Sequence, residues 1–233
     1  MRETFDFAFA PQSAGAGLDF VTLSDHNTTS AWREIGRYQA DYPGKLIARS
    51  GEVTTYRGHA NNHASARWVD YRTGSVYERQ PDGALRPLRG EQPARLFLNQ
   101  ILAGGGFTQI NHPTLFPSQV PGFDETCRGC SWDYSDAETD YSKVKALEVQ
   151  TGPAGLEQEP QPGPNPFTPL AIDFWEQKLD AGYKIAPVGG SDSHDAGRTP
   201  EPTHSPVGDP TTVLFADELS EAGIKRAIDA RHT

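Results

Sequence analysis

The sequence predicts an α/β fold on a mainly parallel sheet, and three observations predict it. Short apolar runs alternate with stretches of helical period along most of the chain, the trace that strands and their crossover helices leave. Each run closes on polar residues, and His, Asp and Glu gather at those closures, where parallel sheets place their binding residues. Gly and Pro are plentiful, at 23 and 19, so long loops are expected at the same face.

The elements follow in order. Leu18 to Leu23 is a buried strand that ends at Ser24-Asp25-His26, and Thr29 to Tyr42 is a helix with Trp32, Ile35 and Tyr38 on one face. Lys45 to Ser50 is the next strand, ending at Gly51-Glu52, and His63 to Tyr71 is expected to be another. Pro93 to Leu102 is a helix stopped by Gly104-Gly105-Gly106. Phe107 to Ile110 is a strand ending at Asn111-His112-Pro113, and Val144 to Val149 a strand ending near Gln150. Ala171 to Ala181 is a helix with Ile172, Trp175 and Leu179 on one side. Ile185 to Val188 is a strand ending at Gly189-Gly190-Ser191-Asp192-Ser193-His194. Thr212 to Phe215 is a last strand and Glu218 to Ala230 a last helix. The first seventeen residues alternate Phe5, Phe7 and Phe9 before an Ala-rich stretch, a pattern that settles neither helix nor strand. Residues 113–142 and 152–169 are long, rich in Pro and Gly and dotted with aromatics. Loops of that length are uncommon without a function, so they are expected to wall a pocket. Their aromatics suit either substrate contact or packing.

Composition bounds the partners. With 233 residues and a net charge of −10, the chain suits one domain, and no cluster of Lys and Arg offers a nucleic acid its phosphate contacts. No run approaches the roughly 18 apolar residues of a membrane span. The first residues lack a basic segment followed by an apolar core, so no signal peptide is expected in the chain as given. The two cysteines sit in Cys127-Arg-Gly-Cys130. One such pair cannot by itself close a four-ligand zinc site, and its neighbours read as loop. A local disulfide and two inert thiols both remain open; the first would imply an oxidising compartment.

Five of the seven histidines lie at or near strand ends: His26, His59, His63, His112 and His194. Glu52 and Asp192 stand with them; His204 and His232 do not. Neutral imidazoles and carboxylates together bind Zn²⁺, Mn²⁺ or Fe²⁺, and a carboxylate can bridge two ions. Bound metals lower the pKa of water and neutralise charge on a departing group. In Asp192-Ser193-His194 an extended backbone turns both side chains to one cavity. Singly, each of these residues fits a polar cap; several strand ends offering such ligands together point to metal. No Gly-x-Ser-x-Gly elbow is present, which argues against a serine hydrolase. The glycines at 104–106 lack the Lys and Ser or Thr of a phosphate loop.

Taken in order, Leu-Ser-Asp-His-Asn-Thr (23–28), Gly-Glu-Val-Thr-Thr-Tyr-Arg-Gly-His-Ala-Asn (51–61), Ile-Asn-His-Pro (110–113), Ala-Leu-Glu-Val-Gln (146–150) and Gly-Gly-Ser-Asp-Ser-His (189–194) resemble the polymerase and histidinol phosphatase (PHP) superfamily, and within it a carbaryl-hydrolase-like branch. The resemblance implies a distorted seven-stranded β/α (TIM-like) barrel with up to three divalent metal ions. It implies that Glu52 bridges two metals, that His59 and His112 complete the second site, that His26 and His194 hold a third ion, and that Asp192 helps hold the first. Glu148 would stand behind the ligands, and His63 is the reserve should His59 be the wrong histidine of its pair. His26, His112 or His194 would shuttle a proton where metal does not engage it.

The chain departs from the family at its beginning. The family opens on a strand ending in His-x-His, and no histidine precedes His26 here. A first strand missing by truncation is therefore expected ahead of a natural variant, and export becomes an option if residues precede Met1. The implied activity is hydrolysis of a phosphate ester by metal-activated water. Carbamate or carboxylic ester hydrolysis is the alternative within the fold, and a catalytically inactive PHP-like binding module the alternative outside catalysis. A small-molecule ester or phosphate is the expected partner.

Overall fold

The computed structural model describes residues 1–127, 129–153, 155–156, 163–194, 196 and 205–233. The chain opens with α1 (Arg2–Phe9), which buries Phe5 against Tyr38 and Tyr42, with ring centroids 5.5 and 5.9 Å apart. Strand β1 (Phe20–Leu23), helix α2 (Trp32–Gln39) and strand β2 (Leu46–Arg49) make a parallel crossover, with Phe20 opposite Leu46. An antiparallel hairpin follows, β3 (Glu52–Thr55) and β4 (Gly58–His63). Its turn needs Gly58, whose φ is +147° and whose added Cβ would lie 2.4 Å from the Trp132 ring. An outlying hairpin of β5 (Tyr77–Arg79) and β6 (Leu85–Pro87) leads to α3 (Arg95–Ala103) and strand β7 (Phe107–Ile110).

Short helices α4 (Phe123–Thr126) and α5 (Asp136–Thr139) occupy the long connection to β8 (Ala146–Thr151). A reciprocal capping box between Ser135 and Glu138 starts α5. Two-residue strands β9 (Gly155–Leu156) and β10 (Gly163–Pro164), helix α6 (Phe167–Asp180), strand β11 (Ala186–Gly190) and helix α7 (Glu221–Ala230) complete the order.

The main sheet runs β11–β8–β7–β4–β3. β11, β8 and β7 are parallel, and the β3–β4 hairpin adds antiparallel to β7. The β1–β2 pair joins this sheet through one parallel bridge, His26 to Glu52. The core packs on the face carrying Val53, Ala60, Ile110 and Leu147, under Phe97, Leu98 and Ile101 of α3 and Trp132 and Tyr134 of the long connection. Full burial of a side chain the size of Phe97 contributes about 1.5–3 kcal/mol. A smaller cluster joins Phe107, Ala186 and Val188 to Ile224 and Ile228 of α7.

The mixed α/β class with its parallel strands is as expected. The closed seven-stranded barrel is not seen: among the described residues β1 pairs only with β2, and β11 only with β8. The expected strand over Thr212 to Phe215 has no ladder, because the Thr212 hydroxyl takes both main-chain groups of Gly189, at 2.8 Å from its N and 2.9 Å from its O. Val213 and Phe215 are left 66% and 75% exposed. The strand expected over His63 to Tyr71 instead ends at His63, where Ala64 turns into the left-handed region at φ +56°. In α6 the buried positions are Ala171 and Lys178, with Phe174 and Trp175 packed on the core, while Ile172 and Leu179 face outward. Lys178 is held there by Asp136 at 2.7 Å and by the rings of Tyr141 and Phe174. No helix among the described residues is long and apolar enough to cross a membrane.

Candidate metal centre

Side chains alternate along a strand. The β3–β4 hairpin therefore sends Val53 and Ala60 to the core and turns Glu52, Thr54, His59, Asn61 and His63 to the opposite face. Glu52 is the hub. Its Oε2 meets His26 Nδ1 at 2.5 Å and accepts from the Thr54 hydroxyl at 2.8 Å. Its Oε1 accepts from Asn111 Nδ2 at 2.7 Å and lies 3.6 Å from both His59 Nδ1 and His112 Nε2. Asn27 straps the His26 segment to β3: its amide donates to Thr54 O, its Oδ1 accepts from Thr54 N, and its N–H bonds Glu52 O at 2.8 Å.

His112 follows β7 with φ at +28°, a conformation that costs a side-chain-bearing residue of order 1–3 kcal/mol and clusters at functional sites. Its main-chain N–H donates to Glu148 at 2.7 Å, and its Nδ1–H donates to Cys130 O at 2.9 Å. That second bond turns Nε2 toward Glu52 and, in the neutral ring, fixes the tautomer with the lone pair on Nε2, the usual preparation of a ligand histidine. Gly190 lets Glu148 approach, since a Cβ there would sit 2.5 Å from its Oε1. Glu148 thus stands behind His112.

His59 shows most clearly that the residues present suit a cation. Both ring nitrogens are buried and neither has a hydrogen-bond partner, a cost of about 1–3 kcal/mol for each unsatisfied group. His59, His112 and Cys130 each present one ligand atom, all within 4.8 Å of one another. Two imidazoles and a carboxylate, with sulfur adjacent, form a donor set that fits a borderline divalent ion such as Zn²⁺. His63, the reserve, lies at the other end of β4, where its Nε2–H donates to Gln109 at 3.1 Å and its ring stacks on Phe107 at 4.7 Å.

The remaining candidates face the open side of the sheet. His26 reaches the hub, yet its side chain is 51% exposed. Its ring lies 5.8 Å from that of His194 and 6.1 Å from that of His59. Asp192, in the left-handed region at φ +48°, acts electrostatically on His26, His112 and Glu148. The six residues Glu52, His59, His112, His26, Asp192 and His194 therefore share one neighbourhood.

Burial alone would raise the Glu52 carboxyl, but electrostatic attraction to the surrounding imidazoles of His59, His112 and His26 holds it well below the ordinary carboxylate range. For His112 burial works downward, and Glu52, Glu148 and Asp192 overcome it, lifting the imidazole to about 9. The hydrogen bond to Glu52 raises His26. Burial pushes Glu148 up to about 7 and His63 down to about 4.

A cavity of about 1160 Å³ opens on the hub and runs between β1 and β11. Its lining includes no Lys or Arg among the described residues. Among the described residues, the loops expected to wall a pocket do not line this one. Residues 113–142 instead pack Trp132, Tyr134 and Tyr141 into the core. Phe116, Phe123 and Phe167 form an edge-to-face trio with centroids 5.2–6.2 Å apart. Residues 154 and 157–162 of the second loop lie outside the described residues.

Sequence pattern does not pick out Cys130, Asn111, Asn61, Thr54 or Asn27 as parts of the centre. Thr54 had a signal, sitting two residues from Glu52 on one strand face; Cys130 had none, being brought to the site by a loop.

No family model matches the chain, and no curated protein matches it. Among solved structures it is similar to a two-domain protein from Bacteroides vulgatus containing a predicted PHP-like metal-dependent phosphoesterase, with a TM-score of 0.52 and 18% identity. The match covers 95% of this chain and 56% of that one, so the chain spans little more than half the length of this relative. At that identity the likeness concerns the fold.

Proposed function

We propose that this chain is a metal-dependent hydrolase of the PHP type, cleaving a phosphate ester with metal-activated water. The observation that carries this is the buried Glu52, ringed by His26, His59 and His112, with both His59 nitrogens lacking a protein partner. One to three divalent ions (Zn, Mn or Fe) are the cofactor. Glu52 would bridge, His59 and His112 would complete one site, Asp192 would support a second, and His26 and His194 would hold a third. Bound metal supplies hydroxide near neutral pH and charge for the departing oxygen.

The chain's own residues do the rest. Asn111 and Thr54 fix the two Glu52 oxygens in place. Cys130 O holds the His112 tautomer. His26, His112 or His194 moves a proton where metal leaves a nitrogen free. The closed barrel belongs to this proposal too: a strand seated between the edges of β1 and β11 would complete it. The partner is a small molecule, not nucleic acid or membrane, in keeping with a net charge of −10.

Among the described residues the cavity lining has no Lys or Arg, which favours a second substrate class, uncharged carbamate or carboxylic esters, over a phosphate monoester dianion. The test is turnover of an aryl phosphate, an aryl carboxylic ester and an aryl carbamate by the purified chain with added Mn²⁺ or Zn²⁺. Metal-dependent hydrolysis that Glu52→Gln abolishes supports the enzyme, and the preferred substrate separates the two classes. Metal uptake without turnover of any of them would instead support an inactive binding module of the same fold.

A further inference from the structure

We propose, building on the metal centre above, that the Cys127–Cys130 disulfide is a redox gate on that centre. Reduction delivers the Cys130 thiolate as a fourth protein ligand, and oxidation withdraws it.

Three observations place the pair there. The disulfide is formed, with Cys130 buried to 5% exposure and Cys127 half-buried. The ligand atoms of His59, His112 and Cys130 lie within 4.8 Å of one another. His59, itself 5% exposed, has two buried nitrogens without a hydrogen-bond partner and offers one of them to that space. The loop is also held in place. The Cys130 carbonyl accepts from His112 Nδ1 at 2.9 Å, and Trp132 N–H donates to Pro113 O at 2.8 Å. Gly129, at φ +83°, brings the backbone so close to the β3–β4 turn that a Cβ would lie 2.3 Å from Thr55 O. A thiolate released at Cys130 therefore stays beside the two histidines.

The chemistry balances with a dithiol as co-reactant. Its thiolate attacks the more exposed sulfur, Cys127 Sγ, and the S–S electron pair leaves on Cys130 as thiolate. The reductant's second thiol then displaces Cys127, which departs as a thiol. The protein disulfide has gained two electrons, and the reductant has become a disulfide. A disulfide oxidant reverses the exchange.

The gate changes the coordination class. Oxidised, the centre offers Glu52, His59 and His112, three protein ligands with a place open for water, as catalytic zinc sites have. Reduced, it offers Cys, two His and Glu, a closed set of the structural kind, and the soft sulfur favours Zn²⁺ or Co²⁺ over Mn²⁺. Reduction should therefore tighten zinc binding while removing the open position.

The test is Co²⁺ titration of the full chain, with thiolate ligation read from near-ultraviolet sulfur-to-cobalt charge transfer and bound metal counted. Cys127→Ser frees Cys130 permanently. It should show the band at one Co²⁺ per chain without reductant and bind Zn²⁺ at least about tenfold more tightly than Cys130→Ser. Oxidised wild type and Cys130→Ser should bind Co²⁺ without the band. Wild type, reduced and then freed of reductant, should gain it, which covers the case of a poorly folded Cys127→Ser. Cobalt bound with no band in both reduced wild type and Cys127→Ser would overturn the gate and leave the metal centre standing. Persistence of the band in Cys127→Ser/His59→Ala would also overturn it, as thiolate binding outside the centre. No metal uptake by any form would overturn the metal centre and the gate together.

Discussion

Glu52, His59 and His112 are at most 5% exposed, whereas His26 and His194 are exposed and Asp192 is half-exposed. The two groups share a cavity but not a scaffold. The first group sits on or beside β3, β4 and β7, strands paired to neighbours and backed by the α3 core. The second sits beyond the ends of β1 and β11, whose outer edges have no ladder among the described residues. The proposed ligands on paired strands are dry, with Glu52 fixed by Asn111 and Thr54 and His112 by Cys130. The proposed ligands at the unpaired edges keep water as a competitor, so their contribution should be weaker.

Perturbing each side sharpens the contrast. The largest effect is expected in packing: Phe97→Ala, beneath the β3–β4–β7 face, should cost about 3–5 kcal/mol in urea unfolding, while Val213→Ala at the open edge should stay within about 0.5 kcal/mol. Similar losses would mean that both sides are equally consolidated. Next comes metal affinity. Glu52→Gln should lower it by more than about 100-fold, beyond the range for losing an outer partner, and His194→Ala by less than about tenfold; titration calorimetry with Zn²⁺ reads both. Asn111→Ala removes the hydrogen bond that holds Glu52 Oε1, together with those to Asn61 and from Gln109, but no proposed ligand, and should fall between, at about 10- to 100-fold.

The smallest effect is electrostatic. Arg57 grips Glu138 at 2.8 and 2.9 Å and holds its carboxyl down at about 2, against an ordinary value of 4.5. A depressed carboxylate stabilises the fold above its unfolded pKa, and that contribution is lost as pH falls through the folded one. Glu138→Gln should therefore cost about 1 kcal/mol near neutral pH, allowing for screening. The difference from wild type should shrink below pH 4.5 and close near the folded value of about 2. A pH-independent difference would mean that the pair acts by packing alone.

The same contrast explains what the sequence made legible. β1, β2, β7, β8 and β11 were readable because they are short apolar runs closed by polar residues. The β3–β4 hairpin was not, since its inner face carries Glu52, Thr54, His59, Asn61 and His63 and so imitates a loop. The helical face of α6 misled for a related reason: Lys178 buries its stem and pairs with Asp136, leaving Ile172 and Leu179 outside. Thr212 to Phe215 has strand composition, but pairing depends on a neighbouring edge, which the Thr212 hydroxyl occupies. The histidines and acids of the centre were legible as residue types at strand ends. Cys130 was legible only as half of a loop pair, because its place beside His59 and His112 depends on tertiary structure.

Metal content of the purified chain and of Glu52→Gln, counted by mass spectrometry after loading with Zn²⁺ or Mn²⁺ and dialysis, tests the central claim most directly. At least one ion retained per wild-type chain, and none by Glu52→Gln, is the predicted result. A wild-type chain that keeps no metal, or a variant that keeps as much, would contradict a centre built on Glu52, His59 and His112.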